Sequence, residues 1–352
     1  MRRPLQSMMF FAFVLFSFSA MAENRSESKP VDSPSGSPIV ALEGGRRLEF
    51  VRAISSEKDT KGKRSFLAKV VDFVAGPPEF HRLVRPYSVA RDSQGRVVVT
   101  DPGASAVHIF DLNKKKYVRL TGGHHENFRS PQCVALDVHD NIYVTDSELG
   151  KIFVFDSSGK FRRFIGALKN REGYFKRPTG IAVDSAADRI YIADTLRNKI
   201  FTLDLQGNVL GSFGERGFDS GQFNFPTEVV LRGNELVVVD AMNFRVQAFN
   251  RSGQFLWKFG SIGGQTGTMF RPKGLGFDSE GSIYVVDGVF ENVQVFDRTG
   301  QLLYFFGHSG GGPGEFQLPA GLFIDRENRI YVADSFNQRV QVFQFTAAAR
   351  GR

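Results

Sequence analysis

Six aspartates recur along the chain at Asp101, Asp146, Asp194, Asp240, Asp287 and Asp334, separated by 45, 48, 46, 47 and 47 residues. If one fold brought them together, they could ring a cation. Arginines recur in step with them. Arg85, Arg129, Arg177 and Arg271 stand just before prolines of the same period, and Arg197, Arg245 and Arg339 follow three of the aspartates. Guanidinium offers a planar fork of donors suited to carboxylate, sulfate or phosphate. Two residues after the prolines the chain has Ser88, Cys133, Gly180, Gly274 and Gly321, but Glu228 in the fourth unit. That carboxylate either orients a ligand or pairs with Arg177 or Arg271. His124 and His125, in "GGHHENF", raise metal binding or acid–base work. Adjacent side chains in an extended segment point apart, however, and His81, His108, His139 and His308 supply no obvious third ligand,. No metal and no cofactor is assigned.

A residue that every unit needs identically serves what every unit needs. The aspartates are therefore read as braces for tight turns, bonding local amides. The same reasoning assigns Asn198, Asn243, Asn292 and Asn337 to the scaffold. A site requires asymmetry. The pre-proline arginines are replaced by Phe225 and Leu318 in two units, so this set and Glu228 are the stronger candidates. Pairing of each arginine with a neighbouring aspartate is the competing reading, and it is favoured for Arg245 and Arg339.

The unit from Pro272 shows what positions these residues. "GLGFD", "SIYVVD", "VQVFD" and "QLLYFFG" are four short runs of strand formers separated by turns such as "SEG" and "RTG",. Four antiparallel strands per period, apolar on both faces, describe a propeller blade. The 36 Phe and 37 Gly among 352 residues fit such a repeat,. The pattern Pro-x-Gly-[Ile/Leu]-x-x-Asp, Ile-Tyr-Val-x-Asp, Asn-x-[Arg/Lys]-Val-Gln-Val-Phe and Phe-Gly resembles the NHL repeat. The resemblance runs over 85–345 in six units and implies an all-β, six-bladed β-propeller of four-stranded antiparallel blades. It also implies a binding module used in extracytoplasmic sensing or assembly.

Unit six ends at "QRVQVF" without a fourth strand, so the last blade is expected to be closed by an N-terminal strand. Residues 66–74 are expected to fill that place, with 46–54 adding a further strand beside them. Residues 39–84 thus form the closing segment, 346–352 a short tail and 23–38 a polar, Pro/Ser-rich linker. Residues 1–22 read as an export signal: Arg2 and Arg3, the apolar run "MMFFAFVLFSFSA", then "AMA" with cleavage after Ala22,. The alternative is an uncleaved anchor. A periplasmic or extracellular location follows, with no transmembrane domain once the signal is removed.

Cys133 is the single cysteine, which excludes an intramolecular disulfide,. The formal charge of +8 is partly carried by the leader and by the loop "SSEKDTKGKRS". The remainder biases the protein toward anionic partners without making a nucleic-acid footprint. The sequence therefore predicts a monomeric recognition propeller, not an enzyme, that binds a protein or an anionic glycan at its channel mouth. The alternative is a metal-dependent lyase or hydrolase like the propeller lyase acting on peptidyl-hydroxyglycine, which holds zinc through channel-mouth histidines. Those histidines have no positional match here.

Overall fold

A computed structural model describes residues 31–32, 38–42, 45–61, 80–123, 125–169 and 172–347. Each 45–48-residue unit folds into one antiparallel sheet, and six sheets close into a ring. The blades span 88–120, 131–165, 178–213, 226–259, 272–306 and 319–346. Blade five runs Pro272–Phe277, Ile283–Asp287, Asn292–Phe296 and Leu302–Phe306, ordered from the channel outward. Its second and third strands are buried at every residue, because neighbouring blades cover both faces,. The outermost strand leaves alternate side chains in solvent. Among the described residues, no helix is long and apolar enough to cross a membrane.

The core is divided among the six blade interfaces. Between blades five and six, for example, Val286, Val295, Phe316, Val332 and Phe343 form one buried cluster. The links between blades each insert an apolar plug into such a cluster: Phe128, Phe175, Phe223, Met269 and Phe316 are all buried. Leu83 takes this place before blade one. Near the axis the inner strands approach too closely for side chains. A Cβ on Gly180 would lie 2.6 Å from the Glu228 Cα, and one on Gly321 would lie 2.4 Å from the Tyr87 carbonyl oxygen. The small residues after the prolines are thus demanded by packing.

Ring closure differs from the expected arrangement. Arg47–Ile54 pairs directly with the third strand of blade six, Arg339–Thr346, in a register running from Val340 opposite Ile54 to Thr346 opposite Arg47. Leu48 and Phe345 are buried in the seam. The fourth place in that blade is therefore held by 47–54, and 66–74, expected there, lies outside the described residues. The reason is legible in "RLEFVRAI", whose eight residues match the length of the partner strand. Pro38–Ala41 adds to this edge, and Val31–Asp32, within the stretch read as linker, pairs with it.

Each of the six aspartates is fully buried and clamps its blade to the preceding link. Asp287 accepts the amides of Phe270 (2.7 Å) and Arg271 (3.0 Å) from the link, and those of Val289 (3.0 Å) and Phe290 (3.1 Å) from its own turn. Asp334 accepts the Gln317 amide (2.8 Å), Asn337 Nδ2 (2.9 Å), Arg339 Nε (2.8 Å) and Gln341 Nε2 (3.0 Å). The brace reading of the aspartates is what the geometry shows. Replacing Asp334 by Ala leaves the Arg339 charge and several amides without a partner. Urea denaturation should then read a loss of about 3–5 kcal/mol, whereas an unchanged midpoint would remove the clamp from the account of stability.

Candidate ligand-binding site at the channel mouth

The first strand of each blade leaves the same rim to which the aspartate turn returns, since Pro272 pairs with Asp287 and its counterparts do likewise. The residues singled out in the sequence therefore share one face, but they do not share one role. Arg245 is buried and fully engaged: Nε bonds Asp240 at 2.8 Å, and its other nitrogens donate to the carbonyls of Phe218, Asp219 and Gln222. Arg339 repeats this with Asp334, Gly311, Gly312 and Glu315. Arg197 lies over the rings of Tyr174 and Phe201 and donates to the Tyr174 carbonyl at 2.8 Å. These three side chains are engaged within the scaffold as pins. A donor already used to hold a loop carbonyl is not offered to a ligand.

The pre-proline arginines are different. Arg85, Arg177 and Arg271 are exposed, and none forms an ion pair among the described residues. Only their backbone amides serve the clamp. Arg129 is also exposed, with Glu148 at 3.5 Å in solvent. The two units lacking arginine there have a local cause. Phe225 and Leu318 adopt positive φ (56° and 46°), and their amides turn to Asn198 Oδ1 and Glu291 Oε1 of the neighbouring blade. Of the paired histidines, His124 lies outside the described residues, and His125 is exposed at a turn with φ 67°. Among the described residues, no three His, Cys, Asp or Glu side chains gather as metal ligands.

Glu228 enters the channel itself. From blade four its carboxylate reaches past blade three to blade two, where Cys133 Sγ lies 3.5 Å from Oε1 and 3.8 Å from Oε2. Val229 N donates to Oε1 at 3.2 Å. No cation pairs with it among the described residues, so the expected partnership with Arg177 or Arg271 is not formed. Burial raises the carboxyl to about 7, with the Cys133 thiol and the Val229 amide holding it from rising further. Burial also raises the Cys133 thiol, so it stays protonated and is a poor nucleophile,.

Two residues that sequence reasoning passed over complete the mouth. Tyr87 and Lys273 directly follow their prolines, where the other units have Gln132, Thr179, Thr227 and Ala320. The asymmetry that marks Glu228 was present one position earlier. Burial pushes the Tyr87 phenol up to about 12, reinforced by Glu228 and Cys133 and opposed by Arg177 and Arg271. The Lys273 ammonium lies over the Tyr87 ring, 5.7 Å from its centre. Burial lowers it to about 8, with Arg271 and Arg85 repelling its charge and Asp287 favouring it. Arg85, Arg177, Arg271, Lys273, Tyr87 and Glu228 thus form one electrostatic neighbourhood. Perturbed groups of this kind gather at functional sites.

An apolar arc surrounds it. Two residues after the aspartates stand Leu196, Met242, Val289 and Phe336 in four consecutive blades, exposed by 46%, 52%, 44% and 51%. Phe336 also underlies Arg85, whose guanidinium carbon is 5.6 Å from the ring centre. The first two blades carry Gly103 and Glu148 at this position.

The fold is a six-bladed β-propeller of four-stranded antiparallel blades. A family model, DUF5128, described as a 6-bladed beta-propeller, matches residues 130–213 and 275–349, together less than half of the chain. No curated protein matches the sequence. Among solved structures, a gluconolactonase from Xanthomonas campestris is similar over 87% of this chain and 92% of its own, at 15% identity and a TM-score of 0.58. Virginiamycin B lyase from Staphylococcus aureus aligns over 74% and 95%, at 16% identity and TM-score 0.54. An auxiliary nutrient binding protein from Bacteroides thetaiotaomicron aligns over 75% and 70%, at 11% identity and TM-score 0.58. At such identities the likeness is one of fold, shared by enzymes and binding proteins alike.

The raised Glu228 acidity has a measurable consequence. The folded state holds a proton that the unfolded chain releases near the ordinary value of 4.5, and gives it up only near 7. Its contribution to stability is therefore full below about pH 4.5 and lost as pH rises through 7,. Glu228→Gln should stabilise the protein above pH 7 by on the order of 2 kcal/mol and leave it unchanged near pH 4. Melting curves across this range test it, and a pH-independent difference would place the carboxyl in water.

Proposed function

We propose that the protein is a recognition platform whose channel-mouth face binds a protein partner bearing acidic and apolar side chains. One observation carries this reading: an exposed apolar arc in four blades borders three exposed arginines that form no ion pair among the described residues, with the half-buried Lys273 beside them. Exposed cations without partners attract anions, and an adjoining apolar patch marks contact with a partner. The arc favours a protein over an anionic glycan, since a sulfated or carboxylated sugar leaves Leu196, Met242 and Val289 uncovered. The NHL-like repeat supports a binding role in the same sense. The leader-like first residues support action outside the cytoplasm, with a mature chain beginning at Glu23.

A combined array of peptides and anionic glycans, probed with purified protein at low and high salt, tests the reading. Capture of acidic peptides with apolar residues is expected, weakening as salt screens the arginines. An Arg85→Ala, Arg177→Ala, Arg271→Ala variant should lose about tenfold or more of this signal. It should keep its melting temperature, because the fold uses the backbone amides of these residues and the Arg85 contact with the Phe336 ring is exposed. Separately, Met242→Ser with Phe336→Ser should weaken capture without altering its salt dependence. Capture indifferent to salt and to both variants refutes the reading, and retention of glycans alone replaces the protein partner with a sugar.

A further inference from the structure

The floor of the mouth has a chemistry opposite to that of its rim. Arg177, Arg271 and Lys273 are cationic, while Glu228 lies in the channel between the inner strands. A carboxylate has about four lone-pair sites. Those of Glu228 meet one amide at 3.2 Å, from its own neighbour Val229, and one thiol at 3.5 and 3.8 Å. A thiol is a weak donor. No hydroxyl, guanidinium or ammonium of the described residues bonds this carboxylate. The side chain is half-buried, open toward the mouth. Glu228 thus presents unused acceptor capacity to whatever enters the mouth.

The rim limits what can enter: its cations repel a lone ammonium, so a positively charged group arrives only on a ligand that also carries acids. The Tyr87 phenol feels Glu228, Arg177 and Arg271 together, so a group resting on that ring meets both signs of charge at once.

We infer that Glu228 is the acceptor subsite for a primary ammonium group of an acidic peptide, whose carboxylates rest on Arg271, Arg177 and Lys273. The inference rests on the reading of the mouth as a peptide-binding face and specifies which end of the peptide is read. An amino terminus and a lysine side chain share the required chemistry.

A peptide array synthesised twice separates these cases, once with free amino termini and once N-acetylated, each with lysine-free and lysine-containing members. For the wild-type protein, free termini should exceed their acetylated counterparts by about tenfold, the worth of one partly buried charge-assisted hydrogen bond. Glu228→Gln keeps the shape of the side chain and should abolish that ratio while retaining the preference for acidic sequences. A preference that survives acetylation only in lysine-containing peptides, and is lost in Glu228→Gln, assigns the ammonium to lysine and also supports the subsite. Equal capture of acetylated and free peptides without lysine dependence overturns the inference but leaves the binding face standing. Retention of the ratio in Glu228→Gln overturns it as well. Absence of capture on both arrays overturns both.

Discussion

The structure depends on one buried contact made six times. Each aspartate at the end of a second strand sits in the dry interior of the rim and accepts amides from the link that precedes its own blade. An ionised carboxylate is costly to bury, and it is tolerated here because backbone donors surround it. The contact also fixes geometry. It ties the entry of the first strand to the exit of the second, so all six links are held on one face at one radius. In blades four and six an arginine and a glutamine join the same oxygen, extending the clamp into the loop ahead.

This repetition explains why so many charged residues at the rim are engaged within the scaffold. Arg245 and Arg339 are as conspicuous in the sequence as Arg177 and Arg271, yet their donors are consumed by Asp240, Asp334 and loop carbonyls. Lys151 takes the same place in blade two, buried against Glu126. His108 does something similar in blade one: its Nδ1 lies 2.8 Å from the Tyr117 hydroxyl, and burial lowers the imidazole to about 4. It stands where blades four to six carry Gln247, Gln294 and Gln341. What varies without serving the clamp is the inner ring just after the prolines and the tip of each aspartate turn. The mouth chemistry lies at those two positions and at the arginines just before the prolines.

The mouth combines charges that would cancel in water. Glu228 and the cations of blades one, three and five are near enough to perturb Tyr87 and Lys273, but they do not pair. Inner strands spaced by glycine contacts keep them apart, because the rigid ring does not relax to let them meet. Such unpaired groups cost stability in the free protein. Their retention is understandable if a ligand supplies the missing partners.

The repeat period, the four strands of each blade and the bracing role of the aspartates were determined by the sequence alone. Each rests on local rules (strand alternation, turn chemistry, identical residues at identical steps) that a one-dimensional reading contains. The departure of Glu228 from a pattern of small residues was legible there too. The tertiary structure decided what depends on contacts between distant segments. It gave the closing place to 47–54, because pairing with 339–346 is settled by burial of Leu48 and Phe345 across the seam. It divided the arginines into pins and free cations, since the carbonyls that engage Arg245 lie 23 to 27 residues away. And it put Glu228 beside Cys133, 95 positions apart, across a channel that exists only when the ring is closed.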